Sequence, residues 1–492
     1  MVNMNLLAFL RYNEVIRKGE IRMYWLKKED MPLILFDIEK GSYGDQSIHI
    51  RWMSEKTEDL PEMISDESSL EAWIQHRMIP RNRAFVEEIL ASQGLKYKDM
   101  EGLITICKGL SVNDVYWIVP EDFQGRFDDY NLYDNSFSEA LSLVAFTGYS
   151  TTLKELSPSP EMTTNGMLPK AWRRLNDKLY LYKGGTNAEL FSNAGLEPYS
   201  EFYAAQIAAE LEISHVSYDL QKWKGILASV CENFTNKERS YVPVGTVLKK
   251  RSIKELVEKM KEIGCFSDFK NMILLDALIN NEDRHYGNFG FLKDNSTNQY
   301  LSLAPLFDHG ISLFSTMPER YIANGQWKTY QYEHRYSALG ATHDELVSWF
   351  CDQTDARKLS RLSHFEFKKH ERYNVSEERL KFLNTFIRNR ALELIEVIQK
   401  GIKPKKENVE RIEVNQEFLG FRYQFTGDRM QGGHCVILDQ NNNRIKILNL
   451  TSSDLEKMDA VTFIEDYIEN TLYPMQKTNG SKERTTSDPR QN

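Results

Sequence analysis

The sequence predicts an α+β protein, with a mixed α/β module at the N-terminal end and a small strand-rich appendage at the C-terminal end. Three observations carry this prediction. Pro169 to Leu175 and Lys178 to Lys183 flank Asn176-Asp177, residues that tolerate the positive dihedrals of a tight turn, so the stretch reads as a β-hairpin. Apolar residues recur at helical spacing over 268–279, 343–352 and 376–400. Beyond Lys403-Pro404-Lys405-Lys406, which reads as a linker, short apolar runs with strand character return. The 492 residues are 41% apolar and 27% charged, a balance that excludes wholesale disorder. At about 150 residues per domain they make room for roughly three domains.

The elements follow in order. Residues 1–60 alternate apolar runs with turns, as in Ile21 to Leu26 and Leu33 to Phe36, and read as strands. Ser69 to Gln93 carries Leu70, Trp73, Ile74, Phe85, Ile89 and Leu90 near helical spacing, interrupted by Pro80, hence two helices or a kinked one. Gly102 to Pro120 holds two apolar runs around Gly109, expected to be strands. Ser150 to Gly166 is rich in Ser, Thr and Pro and is expected to be a flexible joint. In the hairpin that follows, a period of two places Leu179, Leu181 and Lys183 on one face. A helix is expected over 201–211, after Pro198 and Ser200. At the C-terminal end, 418–423, 434–438 and 444–448 read as strands, 453–469 as a helix, and 477–492 as a disordered tail.

Composition narrows the function classes. Net charge is −9, from 62 Lys/Arg against 71 Asp/Glu, a balance that repels a phosphate backbone. From Asp355 to Arg411, 15 Lys/Arg stand against 9 Asp/Glu, the pattern of a solvated helical face rather than a nucleic-acid site. Direct nucleic-acid binding is therefore not expected. The five cysteines, Cys107, Cys231, Cys265, Cys351 and Cys435, are scattered and never form a C-x-x-C pair, so neither a structural zinc site nor a disulfide framework is expected. Reduced thiols, no signal-like apolar segment and no membrane-length apolar run give the expectation of a cytoplasmic protein without a membrane partner.

One segment carries chemistry. Asn280-Asn281-Glu282-Asp283-Arg284-His285-Tyr286-Gly287-Asn288 follows a helix and precedes the apolar run Phe289 to Leu292; after a turn, a second run ends in Phe307-Asp308-His309-Gly310. Asp283, on an irregular loop, can orient a hydroxyl nucleophile and accept its proton. Asn288 and Asp308 offer one neutral and one charged hard oxygen ligand, a set that suits magnesium bridging nucleotide phosphates. A strand pair between them would bring both ligands to one end of a small sheet, and Gly310 would let the chain turn sharply after the second.

The run Asp283-Arg284-His285-x-x-Asn288 with the later Asp308-His309-Gly310 resembles the catalytic and metal loops of HipA-like serine/threonine kinases. The first run is also similar to the Asp-Arg-His-x-x-Asn loop of phosphatidylinositol 3/4-kinases. The resemblance spans about 150–400. It implies a bilobed, protein-kinase-like fold: small lobe and hinge over 150–235, helical large lobe over 236–402, with the N-terminal module over 1–149 and the appendage over 412–475. It implies ATP and Mg2+ as cofactors, Asp283 as the catalytic base, and Asn288 and Asp308 as metal ligands. Thr163-Thr164-Asn165-Gly166, ahead of Lys170, stands where such kinases carry the loop over the ATP phosphates. Thr164, Asn165, Gly166 and Lys170 are the expected contacts there, and Thr163 and Thr164 either cap the turn or accept a regulatory phosphate. Lys183 matches the phosphate-holding lysine, with Glu201 as its helix partner and Glu197 as the fallback. Cys231-Glu232-Asn233-Phe234 stands at the adenine hinge, with Glu232 and Phe234 beside the base. Arg284 is expected to brace the loop, and His285 and His309 to play structural parts. The implied activity is phosphoryl transfer to a Ser or Thr hydroxyl of an unidentified protein, by a toxin-type regulator with an antitoxin-like protein partner. A lipid or small-molecule kinase and an inactive nucleotide-binding scaffold are the alternatives. A transfer screen over proteins, phosphoinositides and small alcohols separates the first; ATP binding without turnover marks the second.

Overall fold

The computed structural model describes residues 22–40, 46–97, 99–149, 157–186, 195–401, 412–419, 421–428, 432–438, 444–450 and 460–469. The expected linker at 403–406 and tail at 477–492 lie outside these residues. Two compact units divide the chain at Ile402/Lys403.

In the first unit, an antiparallel sheet opens the N-terminal module: β1 (Met23–Lys28), β2 (Met31–Lys40), β3 (Gln46–Met53) and β4 (Tyr116–Pro120), in the order β3-β2-β1-β4. Tyr24, Leu26, Ile34 and Phe36 bury one face of it against Leu70 and Ile74 of the helix Glu67–His76. A capping box between Asp66 and Ser69 starts that helix, and a second helix, Val86–Ser92, follows the break at Pro80. The first apolar run of 102–120 is not a strand but part of the helix Met100–Cys107. Asp99 caps it by accepting the Gly102 N–H, and Leu103, Ile104 and Cys107 are buried at helical spacing.

A second antiparallel sheet follows: β5 (Lys170–Leu175), β6 (Lys178–Gly184), β7 (Asp219–Trp223) and β8 (Ile226–Glu232), ordered β5-β6-β8-β7. Asn176 (φ 50°) and Asp177 (φ 61°) make the two-residue turn between β5 and β6, as their side chains suit. Trp172, Leu179 and Leu181 share a face and pack against Leu110, Val112, Val115 and Trp117 of the N-terminal module. The helix Glu197–Glu210 begins four residues before its expected start, because Pro198 is tolerated in the first turn; Glu201 consequently lies in the second turn. Where described, the segment expected to be a flexible joint is anchored: Ser159, Glu161 and Met162 are fully buried, and only Asn165 to Met167 are exposed.

A short sheet ordered β11-β10-β9 follows, from β9 (Arg239–Pro243), β10 (Gly290–Asp294) and β11 (Tyr300–Leu303). The core beside it centres on the helix Phe266–Ile279, buried from Met272 to Ile279, with Leu380, Leu383, Phe386, Ile387 and Leu394 of the helix Glu377–Lys400 in the same cluster. Each such buried Leu or Phe contributes about 1.5–3 kcal/mol, so this cluster anchors the loop that follows Ile279.

In the second unit, β12 (Ile412–Phe418), β13 (Phe421–Asp428), β14 (Gly432–Leu438) and β15 (Arg444–Leu450) form an antiparallel meander, covered by the helix Ala460–Tyr467. Of the expected strand at 418–423, Phe421 to Tyr423 lie in β13 and Phe418 ends β12, with Leu419 between them at φ 49°. The expected helix over 453–469 is described only from Ala460. Among the described residues no helix is long and apolar enough to cross a membrane.

Candidate active site

The catalytic-loop segment leaves the helix Phe266–Ile279 through Asn280, which takes the left-handed conformation (φ 54°) suited to a helix end. Asn281 is fully buried; its amide donates to Asp276 Oδ1 (2.9 Å), and its Oδ1 accepts the Asp283 N–H (3.1 Å). Asp283 is thus presented at the rim of a rigid turn. Burial pushes its carboxyl above the usual range; His285 opposes this, and the negative charge of Asp308 adds to it. The Asn288 amide donates to the Asp283 carbonyl (2.9 Å), which leaves the amide oxygen as the remaining acceptor of that side chain.

Arg284 ties this loop to the second. Its side chain is fully buried. It pairs with Asp276 (Nε to Oδ2, 3.0 Å), and a single nitrogen, Nη1, donates both to the Asn288 carbonyl (2.9 Å) and to the Phe307 carbonyl (2.6 Å). One guanidinium therefore spans the backbones beside both expected metal ligands. Nη2 also donates to His309 Nδ1 (3.0 Å). Burial and the positive charge of Arg284 hold His309 neutral, well below its ordinary pKa, with the proton on Nε2. The bracing role of Arg284 and the structural role of His309 are what the geometry shows.

Asp308 occupies the left-handed region (φ 58°), so the sharp turn falls on the aspartate itself and not on Gly310. A non-glycine residue held there is strained and needs outside support. Support comes from Tyr218, whose hydroxyl accepts the Asp308 N–H (3.2 Å), and from backbone bonds of Ser214 and Val216 to Leu306. The sequence reading missed Tyr218, since nothing near it in the chain marks it as a partner of residue 308. Gly310 instead sits beside the ion pair: a Cβ there would lie 3.6 Å from Lys183 Nζ.

Lys183, at the end of β6, donates to Glu201 Oε1 (2.9 Å) and to Asp308 Oδ1. Burial works against its charge, but Asp308 and Glu201 outweigh it and hold the ammonium well above its ordinary pKa. The same ammonium outweighs burial at Asp308, whose carboxyl is held well below the carboxylate range. Glu201 also accepts the His309 N–H (2.7 Å), so it locks lysine and loop together. Glu197, the fallback partner, binds the Thr186 N–H (3.2 Å) and hydroxyl instead.

Above this cluster, Lys170 faces Lys183 across the β5–β6 pair, and its ammonium donates to the Asn165 carbonyl (2.8 Å). Burial, with the charge of Lys183, lowers Lys170 to about 7. Gly166 takes φ 100°, a conformation that strains any L side chain, and a Cβ there would also displace the Lys170 ammonium, 2.1 Å away. Both threonine hydroxyls are engaged: Thr163 donates to Leu110 O (2.9 Å), and Thr164 donates to Pro160 O (2.6 Å) while accepting Trp172 Nε1–H (2.9 Å). Phe234, expected at the hinge, packs on Tyr241 and on Phe307, next to Asp308 in the chain. The Glu232 side chain turns outward to Lys178 (2.9 Å). A polar cleft of about 500 Å³ runs along Leu179 and Glu232–Arg239.

The structure thus brings Lys183, Glu201, Asp308, Asn288, Asp283 and Lys170 into one cluster, with Phe234 against Phe307, while the Glu232 side chain is directed to Lys178 and the Thr164 hydroxyl to Pro160. Among the described residues there is no group of three or more His, Cys, Asp or Glu side chains that could hold a metal ion; Asn288 and Asp308 are two of the oxygen donors of this cluster, beside Asp283 and Glu201.

No family model matches the chain. In sequence it is 28% identical over 163 residues to the serine/threonine-protein kinase CtkA of Helicobacter pylori, covering 28% of this chain and 48% of the relative. The chain therefore spans about half the length of that curated protein. Among solved structures, the proinflammatory kinase CtkA of Helicobacter pylori has a TM-score of 0.38 at 19% identity, covering 47% of this chain and 93% of that one. The HipA component of a Shewanella oneidensis toxin–antitoxin complex of HipA, HipB and operator DNA has a TM-score of 0.44 at 12% identity, covering 77% of this chain and 100% of that one. The chain is an α+β protein whose residues at 283–288 and 308–310 resemble the loops of HipA-like serine/threonine kinases, and over 163 residues it is similar in sequence to a named serine/threonine-protein kinase.

Proposed function

We propose that the protein transfers the γ-phosphoryl group of ATP, with magnesium, to a Ser or Thr hydroxyl of a protein. One observation carries the reading: Lys183, 125 residues before Asp308, has its ammonium on both Asp308 and Glu201. Lysine, helix glutamate and loop aspartate are the parts that a phosphoryl-transfer site must assemble. The sequence likeness to a serine/threonine-protein kinase supports the choice of acceptor.

The residues fit the expected metal. Asn288 and Asp308 are hard oxygen donors, and one arginine nitrogen holds the carbonyls of Asn288 and of Phe307, the residue before Asp308; the two side chains would hold magnesium. Magnesium bound there offsets charge on the phosphates. Lys183, released from Asp308, orients those phosphates while Glu201 keeps it in place, and Asn165 to Met167 form an exposed loop tip above them. Asp283 accepts the proton of the acceptor hydroxyl as the new O–P bond forms and the bond from the γ-phosphorus to the β–γ bridging oxygen breaks, with ADP leaving.

The test is transfer from γ-labelled ATP to a protein mixture at varied magnesium, wild type against Asp308→Asn. Transfer should fall by orders of magnitude in the variant, with a smaller loss of ATP affinity. Near-wild-type turnover in Asp308→Asn refutes the assignment.

A further inference from the structure

The phosphate-facing loop is not held by the kinase lobes alone. Arg83 enters it from the N-terminal module. Its Nη1 donates to the carbonyls of Glu161 and Thr164 (3.1 Å to the latter), and its Nη2 to Glu161 Oε2 (2.6 Å) and to the Lys170 carbonyl (3.2 Å). Both charged side chains are 0% exposed. The other Glu161 oxygen accepts the Trp172 N–H (2.7 Å), and the Ala84 N–H donates to Met167 O (2.9 Å). With the Thr163–Leu110 bond, the module grips the loop at residues 161, 163, 164, 167 and 170.

A buried pair of this kind is a poor way to add stability, because the desolvation of both charges offsets their attraction. Arg83 Nε even lacks a hydrogen-bond partner. What the pair does provide is registry. Arg83 fixes the Lys170 carbonyl, Lys170 lies opposite Lys183 across β5–β6, and Lys183 lies between Glu201 and Asp308. From the module to the lysine at the phosphate site there are two steps, one hydrogen bond and one strand pairing.

We propose that Arg83 is a positioning residue for the triphosphate: it sets the loop Glu161–Lys170 in its phosphate-binding conformation, so that the N-terminal module forms part of the nucleotide site. This rests on the reading of the site as an ATP site. It separates binding of the phosphates, which depends on the loop, from binding of the adenosine end, which lies at the hinge.

The experiment uses the full-length protein and calorimetric titration with Mg·ATP and with adenosine, on wild type, Arg83→Met, Arg83→Lys and the exposed-site control Arg81→Met. Losing hydrogen bonds from a charged donor costs about tenfold or more in affinity. Arg83→Met should therefore bind ATP about tenfold or more weakly, hold adenosine within about twofold, and show a raised KM for ATP with a smaller change in kcat. Arg83→Lys, which keeps the charge beside Glu161 but has no fork to reach several carbonyls, should fall between, and Arg81→Met should match wild type. If Arg83→Met does not fold, Arg83→Lys and Trp172→Phe, which removes only the bond to Thr164, carry the same ATP-selective expectation. Equal losses for ATP and adenosine, or no loss for either, overturn the proposal. Wild type that binds adenosine but not ATP overturns the nucleotide-site reading itself, a result distinct from failure of Arg83.

Discussion

Replacing Arg284 by Met should uncouple stability from activity in a way that few other substitutions can. The guanidinium does two jobs: it neutralises Asp276, which is 2% exposed, and it holds the Asn288 and Phe307 carbonyls. Its removal leaves an uncompensated buried carboxylate, at a cost of about 3–5 kcal/mol. Against a typical domain stability of about 5–15 kcal/mol, that is a large fraction. The double variant Arg284→Met/Asp276→Asn removes the buried charge and keeps an acceptor for the Asn281 amide, so most of the lost stability should return. Activity should not return, because both carbonyls remain without their brace, and a displacement of about 1 Å in such loops costs roughly 100-fold. Asp276→Asn alone leaves the guanidinium on both carbonyls and should lose more stability than turnover. Denaturant unfolding and steady-state transfer on the four proteins are the assays. If the double variant recovers turnover together with stability, Arg284 serves only to neutralise Asp276, and the coupling of the two loops is wrong.

Other outcomes follow from the same geometry. Lys183→Ala should depress transfer strongly, and Glu201→Ala should act through the same step, so the double variant should be little worse than Lys183→Ala; fully additive losses in steady-state transfer would show that the two residues do not act as a unit. His343 is buried, its Nε2 lacks a partner, and burial with the nearby Arg390 lowers it to about 3. In the unfolded chain it titrates near 6.5, so the unfolded state takes up the proton first, and stability contributed by the neutral form is complete above that pH and lost progressively as pH falls toward 3. A shift of that size corresponds to about 5 kcal/mol, and His343→Leu should flatten the acid limb of a denaturation series; an unchanged limb would show that other groups set it.

What the sequence disclosed depended on the range of the interactions. The β5–β6 hairpin and the 280–288 loop were readable because their determinants are local: Asn176-Asp177 for the turn, and a fixed spacing from Asp283 to Asn288. The Lys183–Glu201 pair was readable through the resemblance, although the helix start was misplaced because Pro198 was taken as a boundary rather than a first-turn residue. Met100–Cys107 was misread as a strand, since a short apolar run has no period that separates the two, and only the Asp99 cap favoured a helix. The joint before β5 looked flexible by composition, yet its polar residues are bonded to Arg83 and Leu110, tens of residues away. Tyr218 and Arg83 were invisible for the same reason: each acts on a distant backbone and belongs to no local pattern.

Quantitative phosphoproteomics of cells expressing the wild-type chain or Asp283→Ala at matched levels tests whether Asp283 supports phosphoryl transfer to protein hydroxyls. Phosphorylated Ser or Thr sites should appear with the wild type and vanish with the variant. Indistinguishable phosphoproteomes, from a wild-type protein that is folded and binds ATP, would rule that role out.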